Sequence, residues 1–179
     1  MLDQKADPVV ELLDKQAVHE VMLRYLRGVD RLDPDLIQSA YHPDAEDDHG
    51  GKFFSGAGIG EAIVPLVAEL FASTVHLLGN HLVDLQGDVA YSESYVLGYY
   101  TAVDEQGDYI LVRALRYVDE LVKTAGEWKI KRRRLIREWD RIDRNQERPP
   151  DRAYIEPRRS RADISYDRAG DEVTVGARA

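Results

Sequence analysis

The stretch Val75-His76-Leu77-Leu78-Gly79-Asn80-His81-Leu82-Val83-Asp84-Leu85-Gln86-Gly87-Asp88-Val89-Ala90-Tyr91-Ser92-Glu93-Ser94-Tyr95-Val96-Leu97-Gly98-Tyr99-Tyr100 decides the fold. Two β-rich runs flank the short turn Gln86-Gly87-Asp88, which is the signature of an antiparallel hairpin. The pattern continues through Tyr109 to Leu121 and Trp128 to Trp139, with connections at 104–108 and 123–127. Four long consecutive strands are therefore predicted for the second half of the chain.

Upstream the period is helical. Val10, Leu13, Ala17, Val18, Val21, Tyr25 and Leu26 recur at three- and four-residue steps, with Asp14 as a candidate cap and Gly28 as the expected stop. Asp33-Pro34 reads as a cap followed by proline at the first helical position, opening a short helix through Leu36, Ile37 and Tyr41. Residues 46–52 are polar, with room for one short strand before Gly50-Gly51. A third helix is expected from Glu61 to about Ser73, with Pro65 predicting a kink or a late start. Helices followed by hairpin strands predict an α+β fold, with the helices gathered on one face of a curved, mainly antiparallel sheet. The stretch 145–179 contains Pro149, Pro150 and Pro157 and balances seven arginines with seven acids. It is expected to be an extended or disordered arm behind a domain spanning 1–144.

Composition removes several kinds of chemistry. A net charge of -9 argues against nucleic acid or an anionic membrane as partner. With no cysteine there are no disulfides, no thiolate nucleophile and no cysteine-bound zinc. No apolar run approaches the roughly 20 residues needed to cross a bilayer, and the first ten residues lack a signal-peptide pattern, so a cytoplasmic protein is expected. Gly56, Gly58 and Gly60 lack the strand and the spacing of a nucleotide fingerprint. Glu46-Asp47-Asp48-His49 cannot all face one ion along a strand, so no metal site is expected.

The residues able to carry chemistry are few. His76 lies at the hand-over from the third helix to the first long strand, either at the surface or pointing inward beside a partner that fixes its tautomer. Asp30 is a candidate for that partner, or else a turn aspartate. A helix break at Gly28 would let Tyr25 share its pocket. In Lys129-Ile130-Lys131-Arg132-Arg133-Arg134, alternation sets Arg133 on the face of Lys129 and Lys131. Arg133 is thus either a buried cation in need of a partner or part of a solvated edge. Glu93 and Tyr95 share a strand face with Tyr91, Leu97 and Tyr99, as a tyrosine-lined pocket or an ordinary core with wet ends would require.

Taken together, Asp14-Lys15-Gln16-Ala17-Val18, Tyr25, Gly28-Val29-Asp30, Tyr41-His42-Pro43-Asp44-Ala45, Asp48-His49-Gly50, His76 to Asn80, Glu93-Ser94-Tyr95 and Gly126 to Ile130 resemble the SnoaL-like family of the nuclear transport factor 2-like (cystatin-like) superfamily. The resemblance covers roughly residues 8–144. It implies a cone of three helices closing a strongly bent sheet around a pocket, and frequent homodimers or homotrimers. The family's scytalone dehydratase, bile acid 7α-dehydratase and hexachlorocyclohexane dehydrochlorinase branches are cofactor-free lyases with an Asp–His dyad, and the matching positions here are Asp30 and His76. Tyr25 falls where the bile acid enzymes have their tyrosine, and Arg133 where the dehydrochlorinases have a cation. Their lysine is replaced by Tyr25, which disfavours halide loss. The resemblance thus implies a dehydratase or isomerase with catalytic Asp30, His76, Tyr25 and Arg133. Tyr41, His49 and Tyr95 would bind a small hydrophobic steroid-like, polyketide or aromatic substrate, with no cofactor. The same fold also serves as the non-catalytic small subunit of ring-hydroxylating dioxygenases, which is the alternative reading.

Overall fold

The computed structural model describes residues 7–144 and 155–167 of the 179-residue chain. Helix α1 runs unbroken from Pro8 to Arg31, capped by Asp7, whose carboxylate accepts from the Val9 amide at 2.9 Å. Its buried positions, Val18, Val21, Met22, Tyr25, Leu26 and Val29, form one stripe at three- and four-residue spacing. Val10 and Leu13, expected on that stripe, are exposed. Asp14 is not a cap. It accepts from Lys123 Nζ at 2.7 Å and Trp128 Nε1 at 2.9 Å, pinning α1 to the sheet. Gly28 does not stop the helix either. A methyl group there would come within 2.7 Å of the Ile37 side chain, so the glycine permits the close approach of helix α2, Pro34–Ser39. Termination falls instead to Leu32, in the left-handed conformation at φ 50°.

Strand β1, Tyr41–Asp48, takes Tyr41 out of the helix in which it was expected, and β2, Phe53–Ser55, folds back on it. Helix α3, Ile59–Leu70, therefore follows two strands, and Pro65 lies within it. Strands β3, Ser73–Gln86, β4, Val89–Asp104, β5, Gly107–Thr124, and β6, Glu127–Asp143, form the expected meander. The six-stranded sheet has the order β2-β1-β6-β5-β4-β3, and β1 joins β6 in parallel while all other pairs are antiparallel. Three helices packed on this mixed sheet make an α+β, cystatin-like fold. Ile59 and Ile63 of α3 join the core formed by the α1 stripe, Ile37, Val96, Leu115, Leu121 and Ile130.

Of the expected C-terminal arm, 145–154 and 168–179 lie outside the described residues. The described part, 155–167, carries a single 3-10 turn at Ile164–Tyr166 and lies against the end of α1 and the start of α2. Arg161 pairs with Asp33 at 3.0 Å, the Tyr166 hydroxyl donates to Asp33, and Arg27 donates to the Ser165 carbonyl. Among the described residues no helix is long and apolar enough to cross a membrane.

Candidate functional site: an imidazole–carboxylate pair at an apolar cavity

The last turn of α1 carries Asp30 to the beginning of β3, so the expected break at Gly28 is not needed. Its carboxylate accepts from the Thr74 hydroxyl at 2.9 Å, from the His76 amide at 3.0 Å and from His76 Nδ1 at 2.6 Å. An ionised carboxylate only accepts, so Nδ1 carries the hydrogen and Nε2 is left with a free lone pair. That lone pair faces the Tyr100 hydroxyl of β4 at 3.0 Å. Burial, with Tyr117 and Asp30 nearby, raises the Tyr100 phenol well above its ordinary value and keeps it a donor. The His76 side chain is only 4% exposed, so water does not compete freely for these bonds.

Tyr100 escaped the sequence reading, although a local signal exists. His76 stands opposite Gly98 in the β3–β4 register, and Tyr100 is two residues further along the same face. A methyl group at Gly98 would overlap the Tyr100 ring. The missing side chain lets the phenol lean across its own strand to reach the imidazole.

His76 and Tyr100 line a cavity of about 640 Å³, within the range of small-molecule sites. Tyr25, Ile63, Leu66, Val67, Phe71 and Tyr117 make most of its apolar wall. The half-buried residues Leu66 and Val67 of α3 thus face this space, and Val67 also packs against the core. Burial raises the Tyr25 phenol although Arg133 acts in the opposite sense. His49 also lines the cavity, and its Nδ1 lies 3.3 Å from buried Asp47.

The remaining expected residues stand elsewhere. Arg133 is fully buried behind the wall and does not line the cavity. Its guanidinium makes a two-point contact with Asp119 at 2.8 and 2.7 Å, donates to the Tyr41 hydroxyl at 3.0 Å, and is flanked by the Tyr25 and Tyr117 rings, each 4.3 Å away. Burial opposes the cation, but Asp119 together with Tyr41 and Tyr25 holds Arg133 above its ordinary value. Arg133 does not share the face of Lys129 and Lys131 that simple alternation predicts, because the β5–β6 register shifts between Leu121↔Ile130 and Glu120↔Arg132. That bulge at Lys131 turns Arg133 to the side of Trp128 and Ile130. Tyr41 likewise sits behind the wall, donating to Asp47 at 2.5 Å. Tyr95 lies on the opposite face of β4 at 45% exposure, with Arg116 over its ring, so the expected tyrosine face is not the cavity face. The tyrosines that do line the cavity are Tyr25, Tyr100 and Tyr117.

The arm also reaches this region. Arg159 Nη1 donates to the carbonyl of Phe71, a wall residue that packs against Tyr100 at 4.7 Å. Burial lowers the Arg159 value against the attraction of Asp30, and its Nε and Nη2 are buried without a hydrogen-bond partner among the described residues.

The model of the SnoaL-like domain family matches residues 10–134. No curated protein sequence matches the chain. A scytalone dehydratase-like protein from Novosphingobium aromaticivorans superposes with a TM-score of 0.64 at 24% identity, covering 80% of this chain and 97% of the other. A hexachlorocyclohexane dehydrochlorinase from Novosphingobium barchaimii gives 0.72 at 18% identity, over 81% and 100% of the two chains. A cystatin-like protein of unknown function from Nostoc punctiforme gives 0.58 at 18%, over 70% and 92%. At these identities the solved structures speak to the fold alone.

Proposed function

Because the chain belongs to the SnoaL-like domain family, within the nuclear transport factor 2-like superfamily, we propose that it is a cofactor-independent lyase of the dehydratase type, removing water from a small hydroxylated carbonyl compound. The observation that carries this reading is the hydrogen-bonded series Asp30–His76–Tyr100, which ends in an apolar cavity. Asp30 fixes the tautomer, and Nε2 of His76 takes the proton from the carbon next to the substrate carbonyl. The carbon–oxygen bond at the neighbouring carbon then breaks, its electron pair leaves with the hydroxyl group, and the Tyr100 proton converts that group to water. The double bond forms from the electrons of the broken C–H bond. The proton gained by His76 passes across the 3.0 Å contact to the Tyr100 phenolate, restoring both groups without a co-reactant.

Tyr25, which lines the same cavity, supports the same reading. Its raised phenol value leaves it protonated and able to hydrogen-bond the carbonyl oxygen as negative charge develops there. The apolar wall excludes water and strengthens each of these contacts. Arg133 takes no direct part in this scheme. It braces the faces of Tyr25 and Tyr117 from behind.

The test is turnover of a panel of steroid-like, polyketide-like and aromatic β-hydroxy carbonyl compounds by the full chain, read as loss of 18 mass units. Asp30→Asn and His76→Gln should fold and lose about 10²- to 10⁴-fold in rate. Undiminished turnover by His76→Gln sinks the scheme. Inactivity of the wild-type chain, together with co-purification of an iron–sulfur partner, would replace it with the binding-subunit reading.

A further inference from the structure

One part of the cavity wall runs against the charge of the chain. Lys52, Arg113 and Arg137 line it together with His49 and His76, and no aspartate or glutamate is among its lining residues in the described structure. The chain as a whole carries -9. Asp30 meets His76 and Asp47 meets His49, while Asp140 is the carboxylate that meets the arginines. It holds Arg113 at 2.9 Å through two contacts and lies 3.6 Å from Arg137. Among the described residues Asp140 is the one carboxylate set against Lys52, Arg113 and Arg137, so this part of the wall carries a local excess of positive charge.

The excess is concentrated at the rim. Lys52 is exposed, and among the described residues it has no carboxylate partner. Arg137 is 68% exposed in its side chain, and its single contact to Asp140 is long for a charged hydrogen bond. The two belong to one end of the sheet. β1 runs parallel to β6 with Asp48 opposite Arg134, so the turn holding Lys52 and the β6 segment holding Arg137 continue in the same direction. His76 and Tyr100 are buried or nearly so, whereas Lys52 and Arg137 are exposed, and Arg113, 5.9 Å from the Tyr100 ring, shares Asp140 with Arg137.

We propose that the ligand of this cavity is an amphipathic carboxylate, with an apolar ring-sized body in the cavity and its acid group held at the rim by Lys52 and Arg137. A planar carboxylate matches the guanidinium fork, and a flexible ammonium closes on its second oxygen. The apolar walls exclude a small hydrophilic acid, and the free cations favour a charged ligand over a neutral one of the same shape. The inference extends the elimination reading by stating what the substrate carries at the end remote from His76, and it rests on that reading only for which end reaches the imidazole.

The test is isothermal calorimetry of the full chain with 2-naphthoate and with 2-naphthamide, which share a ring body and differ in charge. Wild type should bind the carboxylate about tenfold or more tightly, a preference that shrinks as salt is raised. The Lys52→Met/Arg137→Met pair, both at exposed positions, should reduce the preference to less than about threefold. His76→Gln should keep it, which separates this proposal from the elimination scheme, because binding at the rim does not need the imidazole. Equal affinity for both probes, binding of neither, or a preference that survives in the double variant overturns the proposal.

Discussion

Replacing Asp119 by leucine tests the buried charge behind the cavity most directly. Asp119 and Arg133 are both fully buried in their side chains, and the carboxylate occupies two of the guanidinium nitrogens at 2.8 and 2.7 Å. Leucine keeps the branched outline of the aspartate side chain, with methyl groups where the two carboxylate oxygens stand, so the main loss falls on the charge. The three tyrosine rings around Arg133, at 4.3, 4.3 and 5.5 Å, are present before and after the change and do not offset it. What remains is a cation with one hydroxyl acceptor and a thioether, Met22 Sδ, in place of a carboxylate. Breaking such a pair costs about 3–5 kcal/mol, against a total stability of about 5–15 kcal/mol for a domain. With a urea slope of about 2 kcal/mol/M, the midpoint should fall by roughly 2 M. Adding Arg133→Met to Asp119→Leu removes the stranded charge and should bring the midpoint back to within about 1 M of wild type. The assay is equilibrium urea unfolding of the four chains of this cycle. Single-variant costs below about 1 kcal/mol, or costs that simply add, would mean that water reaches the pair and that the dry-cage account is wrong.

Three further outcomes follow from the geometry. Gly98→Ala should cost about 1–3 kcal/mol by overpacking and, by pushing the phenol off His76, should slow turnover to the level of Tyr100→Phe; a Gly98→Ala enzyme with wild-type rate would refute the leaning-ring account. His81, whose Nδ1 lies 3.0 Å from that of His19, is lowered to about 4 by burial and then by His19. Its unfolded form binds the proton more readily, so its contribution to stability is present above about pH 6.5 and is lost as pH falls towards 4; discounted for the water reaching this half-buried ring, the loss is about 1–2 kcal/mol, and His81→Leu should flatten urea midpoints measured between pH 7 and 4.5. Arg161→Ala should leave the midpoint unchanged but speed proteolysis within 155–167, whereas Asp33→Ala should speed that proteolysis and also lower stability by about 1 kcal/mol, because Asp33 also caps α2 at the Leu36 amide; equal behaviour of the two variants would dissociate the arm from Asp33.

The sheet meander was legible because its signals are local. Gln86-Gly87-Asp88 makes a turn whatever the rest of the chain does, and the alternation beside it needs no distant partner. The dyad was legible through the family resemblance and not through spacing, since Asp30 and His76 meet only when the last helical turn docks on β3. Gly28 misled for a physical reason: a glycine that ends a helix and one that admits a neighbouring helix look alike until Ile37 is seen against it. Arg133 was found as a residue but assigned to the wrong face, because a single bulged residue reverses every position after it. The parallel β1–β6 pairing and the cation rim have no local signal at all. Both depend on segments that are brought together only by the finished sheet.

That pairing also sets an order of events on the ribosome. Tyr41 and Arg133 are 92 residues apart in sequence, yet they share the buried polar cluster behind the cavity. At a synthesis rate of about 5–20 residues per second, β1 waits several seconds or more for the strand it must pair with. The hairpins from β3 to β6 can close as they emerge, while Asp47 and its neighbours stay without their partner. The β1–β6 contact is therefore among the last sheet pairings to form, and a nascent chain that stalls before β6 lacks the Leu135 and Arg137 side of the cavity.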